Sequence, residues 1–121
     1  MKKWIILMVG VLFSLGAHAN LQVLPSSVNF FNVNVGSFGR SETITVRNLS
    51  DQDINVSTSD TCFGDFYVVD TCFYLSRYQS CNIRVEFRPR REGYQSCSIS
   101  IRDTTNGSFS TVFVSGRGVA R

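Results

Sequence analysis

From Cys81 to Arg88 the chain reads CNIRVEFR, apolar and polar residues in unbroken alternation. A period of two sends every second side chain to one face of an extended chain, and no helix can bury such a pattern on one side. The same alternation returns along the chain in short runs. Val28, Phe30, Val33 and Val35 carry one, and Ile44 and Val46 alternate with Thr43, Thr45 and Arg47. Ile54 and Val56, then Phe66 to Val69, then Cys97, Ile99 and Ile101, then Val112 and Val114 carry the others. Polar or glycine-bearing stretches at 36–39, 48–53 and 103–107 separate them, the last holding the hairpin signal Asn106-Gly107. Pro25, closing the opening run Leu21-Gln22-Val23-Leu24, suits an edge strand that breaks or switches sheets. Seven to eight strands with no helical period predict an all-β chain, an Ig-like β-sandwich of antiparallel strands.

The first residues follow different rules. Lys2 and Lys3 precede an apolar run at 4–15, and Ala17-His18-Ala19 supplies a small-x-small end. This is the pattern of a secretory signal peptide, residues 1–19, with cleavage expected after Ala19. The apolar run is about a dozen residues, short of the roughly 18 to 20 that span a bilayer. No cysteine follows the expected cleavage point, so no lipid anchor is expected there. Export to the periplasm is the leading expectation, with secretion or the cell surface as alternatives. The only His, the only Trp, both Met and both Lys lie in that segment or its core. Residues 20–121 then form one domain with ten Arg against nine acidic residues, a formal charge of +1. That balance is no footprint for nucleic acid or for an anionic membrane surface.

Three stretches in order resemble a known family. They are VNFFNVNVGSFGRSETITVRN at 28–48, CFYLSRYQSCNIRVEFRPRREGYQSCSISI at 72–101 and TVFVSGRG at 111–118. A cysteine-bracketed loop followed by F-x-P-x-x-x-G (Phe87, Pro89, Gly93) and a final G-x-G (Gly116, Gly118) is similar to the Ig-like ASH domain. That domain was first named for Hydin and the abnormal-spindle protein, and bacterial choice-of-anchor D modules are similar. Phe31 stands where the family usually has glycine, and Cys62 and Cys97 are additional to its common cysteine pair. The resemblance implies an Ig-like fold and an interaction or localisation module.

Four cysteines in a chain expected to be exported point to disulfides. Successive gaps of nine, eight and fifteen residues, with no His beyond residue 19, do not fit the close ligand pairs of zinc sites. No Cys-x-x-Cys redox motif is present. The resemblance pairs Cys72 with Cys81. Cys97 shares parity with Ile99 and Ile101 and so faces the core, which leaves Cys62 as its favoured partner. Four cysteines allow three connectivities, and sequence alone leaves the other two open. In the chain-entropy model a loop of about ten residues contributes roughly 2.7 kcal/mol and one of about 36 roughly 3.8 kcal/mol.

Without His or Lys, residues 20–121 hold no Ser-His or Ser-Lys pair, and no catalysis, cofactor or metal is expected. Asp60, Asp65 and Asp70 are the remaining carboxylates for hydrolytic chemistry, but their places near turns favour backbone capping. Asp51-Gln52-Asp53 lacks the dense oxygen ligands of a calcium loop and reads as a turn. Arg84, Glu86 and Arg88, with Arg102 nearby and Arg90 and Arg91 on the turn, read as a solvated, salt-bridged sheet face. Phe30, Phe66, Phe87 and Tyr94 are expected to fill the core.

Phe73, Tyr74 and Tyr78 crowd the loop between Cys72 and Cys81, beside Arg77, with Leu75 able to anchor it inward. Either these rings fold over the sandwich end, or they form a contact surface of the kind interfaces favour. These residues, with Phe63 as a possible neighbour, are the candidate interaction site. The function expected is a non-enzymatic, exported module that binds an unidentified protein of the cell envelope or beyond, or serves as a structural part of that envelope. The alternative is a periplasmic assembly protein, a pilus-type subunit or chaperone working by strand exchange. It is disfavoured because residues 111–119 supply a last strand and a chaperone usually needs two such domains.

Overall fold

The computed structural model describes residues 21–105 and 107–120. The expected signal peptide, residues 1–19, and Asn106 of the expected hairpin turn lie outside the described residues. Nine strands follow in order: β1 (Leu21–Leu24), β2 (Ser27–Asn34), β3 (Arg40–Asn48), β4 (Ile54–Asp60), β5 (Phe66–Asp70), β6 (Tyr74–Leu75), β7 (Ser80–Phe87), β8 (Gly93–Asp103) and β9 (Phe109–Val119). They form two sheets, ordered β1-β3-β7-β5 and β2-β9-β8-β4-β6. The apolar faces of both sheets enclose one core, as the alternation predicts for an Ig-like sandwich.

Two details differ from the sequence expectation. β6 is a ninth strand, two residues long, paired only with Ile54 and Asn55, too short to show a period. β2 runs parallel to β9, from Ser27 opposite Phe113 to Asn34 opposite Val119, whereas the other pairs are antiparallel. A period of two is the same for both directions, so the pattern carries no sign of this. The change of sheet falls at Pro25, between β1 in one sheet and β2 in the other.

Ile44, Val46, Ile83 and Val85 are fully enclosed from one side, with Ile101 and Val112 facing them from the other. Each such side chain contributes about 1.5–3 kcal/mol relative to exposure. Phe87 sits among them, its ring stacked on Phe66 at 4.7 Å and on Phe30 at 5.8 Å. Tyr94 does not join this core. Its parity is opposite to that of Cys97, Ile99 and Ile101, so its ring points out and is 63% exposed.

The family motifs meet in space. A Cβ on Gly116 would come within 2.6 Å of two carbons of the Phe87 ring, and one on Gly118 within 2.9 Å of the Pro89 Cβ and into the Arg91 carbonyl. The F-x-P and G-x-G segments are therefore two halves of one packed corner, where β7 leaves the first sheet and β9 crosses beneath it. Phe31 explains the missing glycine differently. It lies at the register shift between Asn29 and Asn32 with φ 58°, a region glycine favours, and its ring is exposed. The Asn29 Oδ1 accepts the Phe31 N–H at 2.8 Å, which holds this conformation.

Replacing Gly116→Ala is expected to cost about 1–3 kcal/mol in urea unfolding, by overpacking against Phe87. Ser115→Ala, one residue away on the outer face, is expected to stay within about 0.5 kcal/mol. Equal midpoints for the two variants would show that the corner is not tightly packed.

Candidate functional site

The cysteines pair as Cys62–Cys97 and Cys72–Cys81. The second bridge closes the loop between β5 and β7, with Cys72 buried and Leu75 buried beside it. From those anchors the chain turns its other large side chains outward. Phe73 is 68% exposed, and Tyr74 and Tyr78 are each 56% exposed. Of the two arrangements open to these rings, the loop presents them to solvent.

Backbone ties make the loop stiff. Val56 donates its N–H to the Phe73 carbonyl at 2.8 Å, and Gln79 donates to Ser76 at 3.0 Å. Asn48, at the end of β3, is fully buried beneath the loop. Its N–H donates to the Gln79 carbonyl at 2.8 Å. Its Nδ2 donates to the carbonyls of Gln52 at 2.7 Å, Ser76 at 3.1 Å and Leu75 at 3.3 Å, while its Oδ1 accepts from the Ser50 N–H at 2.9 Å. One amide thus joins the β3–β4 turn to the stapled loop. Tyr78 takes φ 59°, uncommon for a bulky residue, at the loop's far shoulder.

Asp53 supplies a second tie from the outside. Its Oδ2 accepts the Tyr74 hydroxyl at 2.7 Å and its Oδ1 accepts the Arg77 N–H at 3.1 Å. The Tyr74 bond first, then that of Arg77, holds the Asp53 carboxyl below its usual range, and the same bond raises the Tyr74 phenol. The turn at 51–53 is thus a clamp on the loop, and among the described residues no cluster of His, Cys, Asp or Glu is placed to hold a metal ion.

Phe63 is not brought to this site. It is exposed at the opposite end of β5, lining a cleft with Arg90, Arg91 and Tyr94. The three aspartates weighed for hydrolysis serve the backbone. Asp60 accepts the Cys62 N–H at 2.8 Å and Asp70 the Cys72 N–H at 2.7 Å. Asp65, buried, accepts from the Gln95 Nε2 at 2.8 Å and from the Arg90 N–H and Nε, each at 2.9 Å. Burial pushes the Asp65 carboxyl up, but the Gln95 and Arg90 bonds together outweigh it and leave it below its ordinary value. On the four-stranded face Arg88 pairs with Glu86 at 3.1 Å and lies over the Tyr67 ring. Arg102, expected near them, stands instead on β8 in the other sheet, over the Phe109 ring, because β7 and β8 are consecutive in sequence and not paired.

A family model described as HYDIN/CFA65/VesB-like, Ig-like domain, matches residues 19–118. The chain belongs to this family. Among solved structures, this HYDIN/CFA65/VesB-like domain is similar to the ASH/PapD-like domain 7 of human CEP192, at 12% identity and TM-score 0.71, over 86% of this chain and 88% of that one. It is also similar to the VesB protease of Vibrio cholerae, at 16% identity and TM-score 0.58, over 87% of this chain but 34% of that one. The YadV chaperone is similar at 7% identity and TM-score 0.59, over 82% of this chain and 52% of that one. At such identities these likenesses are of fold. No curated protein sequence matches the chain. The ASH resemblance read from the motifs thus holds for the HYDIN/CFA65/VesB-like domain as a whole.

The sequence reading missed Asn48 and Asp53, both taken as turn residues. Parity held the signal for Asn48, since Ile44 and Val46 face inward and Asn48 continues their row. No pattern marks Asp53, whose partners lie 21 and 24 residues away.

Asn48→Ala is expected to cost about 1–3 kcal/mol by leaving buried carbonyls unmatched, and to speed amide exchange within 72–80 more than in β8. Uniform exchange rates would show that Asn48 does not govern the loop. Tyr74→Phe is expected to return the Asp53 carboxyl towards its ordinary pKa in an NMR titration. Because the folded value is depressed, the clamp is complete above the ordinary carboxylate range and is lost as pH falls through the folded value. An unmoved Asp53 titration would remove Tyr74 from the clamp.

Proposed function

We propose that the chain is a non-catalytic protein-interaction module, exported from the cell, whose contact surface is the loop closed by Cys72 and Cys81. The observation that carries this is the exposure of Phe73, Tyr74 and Tyr78 on a segment fixed by a disulfide, the Asn48 amide and the Asp53 clamp. Rings held rigidly in water lose little entropy on binding and bury much area, and Arg77 adds a cation between them. The partner is a protein of the cell envelope or the surroundings of the cell. Membership of the HYDIN/CFA65/VesB-like family supports the class of function, and the signal-like segment at 1–19 supports export. Among the described residues no helix is long and apolar enough to cross a membrane.

Strand-exchange assembly, as a pilus-type subunit or chaperone, is the weaker reading. β9 is already paired along its length with β8 and with β2, so the place that a donated strand would take between them is filled.

The test uses the oxidised chain as bait on extracts of the cell envelope and the medium, beside a Phe73→Ser, Tyr78→Ser variant that leaves the Tyr74 clamp in place. A partner held by the parent and lost by the folded variant, with Kd raised about tenfold or more, is the expected result. Equal capture by both would move the site off the loop, and spontaneous polymerisation of the purified chain would favour strand exchange.

A further inference from the structure

The two outer faces of the sandwich differ in chemistry. The four-stranded face carries Arg47, Arg84, Glu86 and Arg88 at outward positions. On the five-stranded face the outward row of β8 reads Tyr94, Ser96, Ser98, Ser100, and the paired row of β9 holds Phe113 and Ser115. Arginines occur only at the ends of these rows, Arg102 over the Phe109 ring and Arg117 opposite Tyr94.

Between the ends lies an open groove of about 540 Å³, within the range of clefts that take small ligands. Ser96, Ser98 and Ser115 form its floor, and Ser27, Asn29 and Thr61 its rim. Tyr94, 63% exposed, and Phe113, 64% exposed, form its walls. Tyr94 stands opposite Arg117 and Phe113 opposite Ser98, so the rings are offset by four positions along paired strands. That is roughly 13 Å at the rise of a strand, room for more than one sugar ring between them. Apart from the Tyr94 phenol, no lining side chain is ionisable. Among the described residues, no hydrogen bond engages the hydroxyls of Ser96 and Ser115, which leaves both as donors and acceptors for a ligand.

We propose that this groove binds a neutral glycan. A pyranose ring has a C–H face that packs on an aromatic ring and a rim of hydroxyls that exchange hydrogen bonds with serine, threonine and asparagine. A neutral sugar needs no countercharge, and the groove offers none. Phosphate, acidic peptide or nucleic acid would need a cation on the floor, where there are only hydroxyls. The site is separate from the stapled loop, which contains β6 at the sheet's edge, while the groove spans β2, β9 and β8.

The test is an array of neutral oligosaccharides (β-glucan, chitin, mannan and galactan fragments) beside uronate and sialylated ones, with affinities from titration calorimetry. Binding to at least one neutral class, retained at about 0.5 M salt, is expected because no ion pair carries it. Tyr94→Ala and Phe113→Ala are each expected to weaken it about tenfold or more, the loss of one stacked ring. Ser96→Trp, which fills the floor and spares both walls, is expected to abolish it. The Phe73→Ser, Tyr78→Ser loop variant is expected to bind as the parent does. Circular dichroism and thermal unfolding establish that each variant is folded. No neutral binding, binding only to acidic glycans and lost in salt, or undiminished binding by folded Tyr94 and Phe113 variants would overturn the proposal.

Discussion

The sandwich closes around one ring. Phe87 touches both sheets, stacking on Phe66 from its own side and Phe30 from the other, and it lies flat against Gly116 because that residue has no side chain. Interiors at crystal-like density transmit such constraints outward. The ring fixes how closely β9 approaches β7, and Gly118 beneath Pro89 fixes the angle at which β9 leaves. Asp65, with its bonds to Arg90 and Gln95, then locks the chain as it turns from that corner into β8.

Period and parity made the fold legible. The runs around Ile44, Ile83, Ile99 and Val112 became strands with the expected faces buried. Where parity was set aside the reading failed, as for Tyr94, whose size argued for the core and whose position argued against it. What stayed hidden was of two kinds. The direction of β2 and the contact between the Phe87 and Gly116 motifs depend on pairings between distant segments, and no local pattern encodes these. The Asp53 clamp depends on two side-chain directions in a turn, which periodicity does not describe. The aromatic loop was visible as a composition, but its exposure was not, because Leu75 and the rings compete for one small interior space and packing in three dimensions decides that Leu75 enters.

The two outer faces and the loop divide the surface by chemistry. Outward Arg47 and Arg84 on the two central strands, with the Arg88–Glu86 ion pair, keep the four-stranded side solvated. The hydroxyl-rich side leaves its aromatic rings unshielded by charge, and the stapled loop holds its own rings rigidly at one end. A fold shared by proteins as different as a protease, a chaperone and a human ASH domain leaves such differences to decide what each member does.

The parallel pairing of β2 with β9 has a consequence for timing. One of the earliest strands finds its only neighbour in the last one described, from Ser27 against Phe113 onward. A chain emerging from its N-terminal end must therefore carry β2, with Val28, Phe30 and Val33 uncovered, until nearly everything else has arrived. The first sheet and the β4–β8 ribbon have partners available sooner. Completion of this domain is gated by its final segment, and the interval before it is when the apolar face of β2 is open to any chaperone that recognises an unpaired strand.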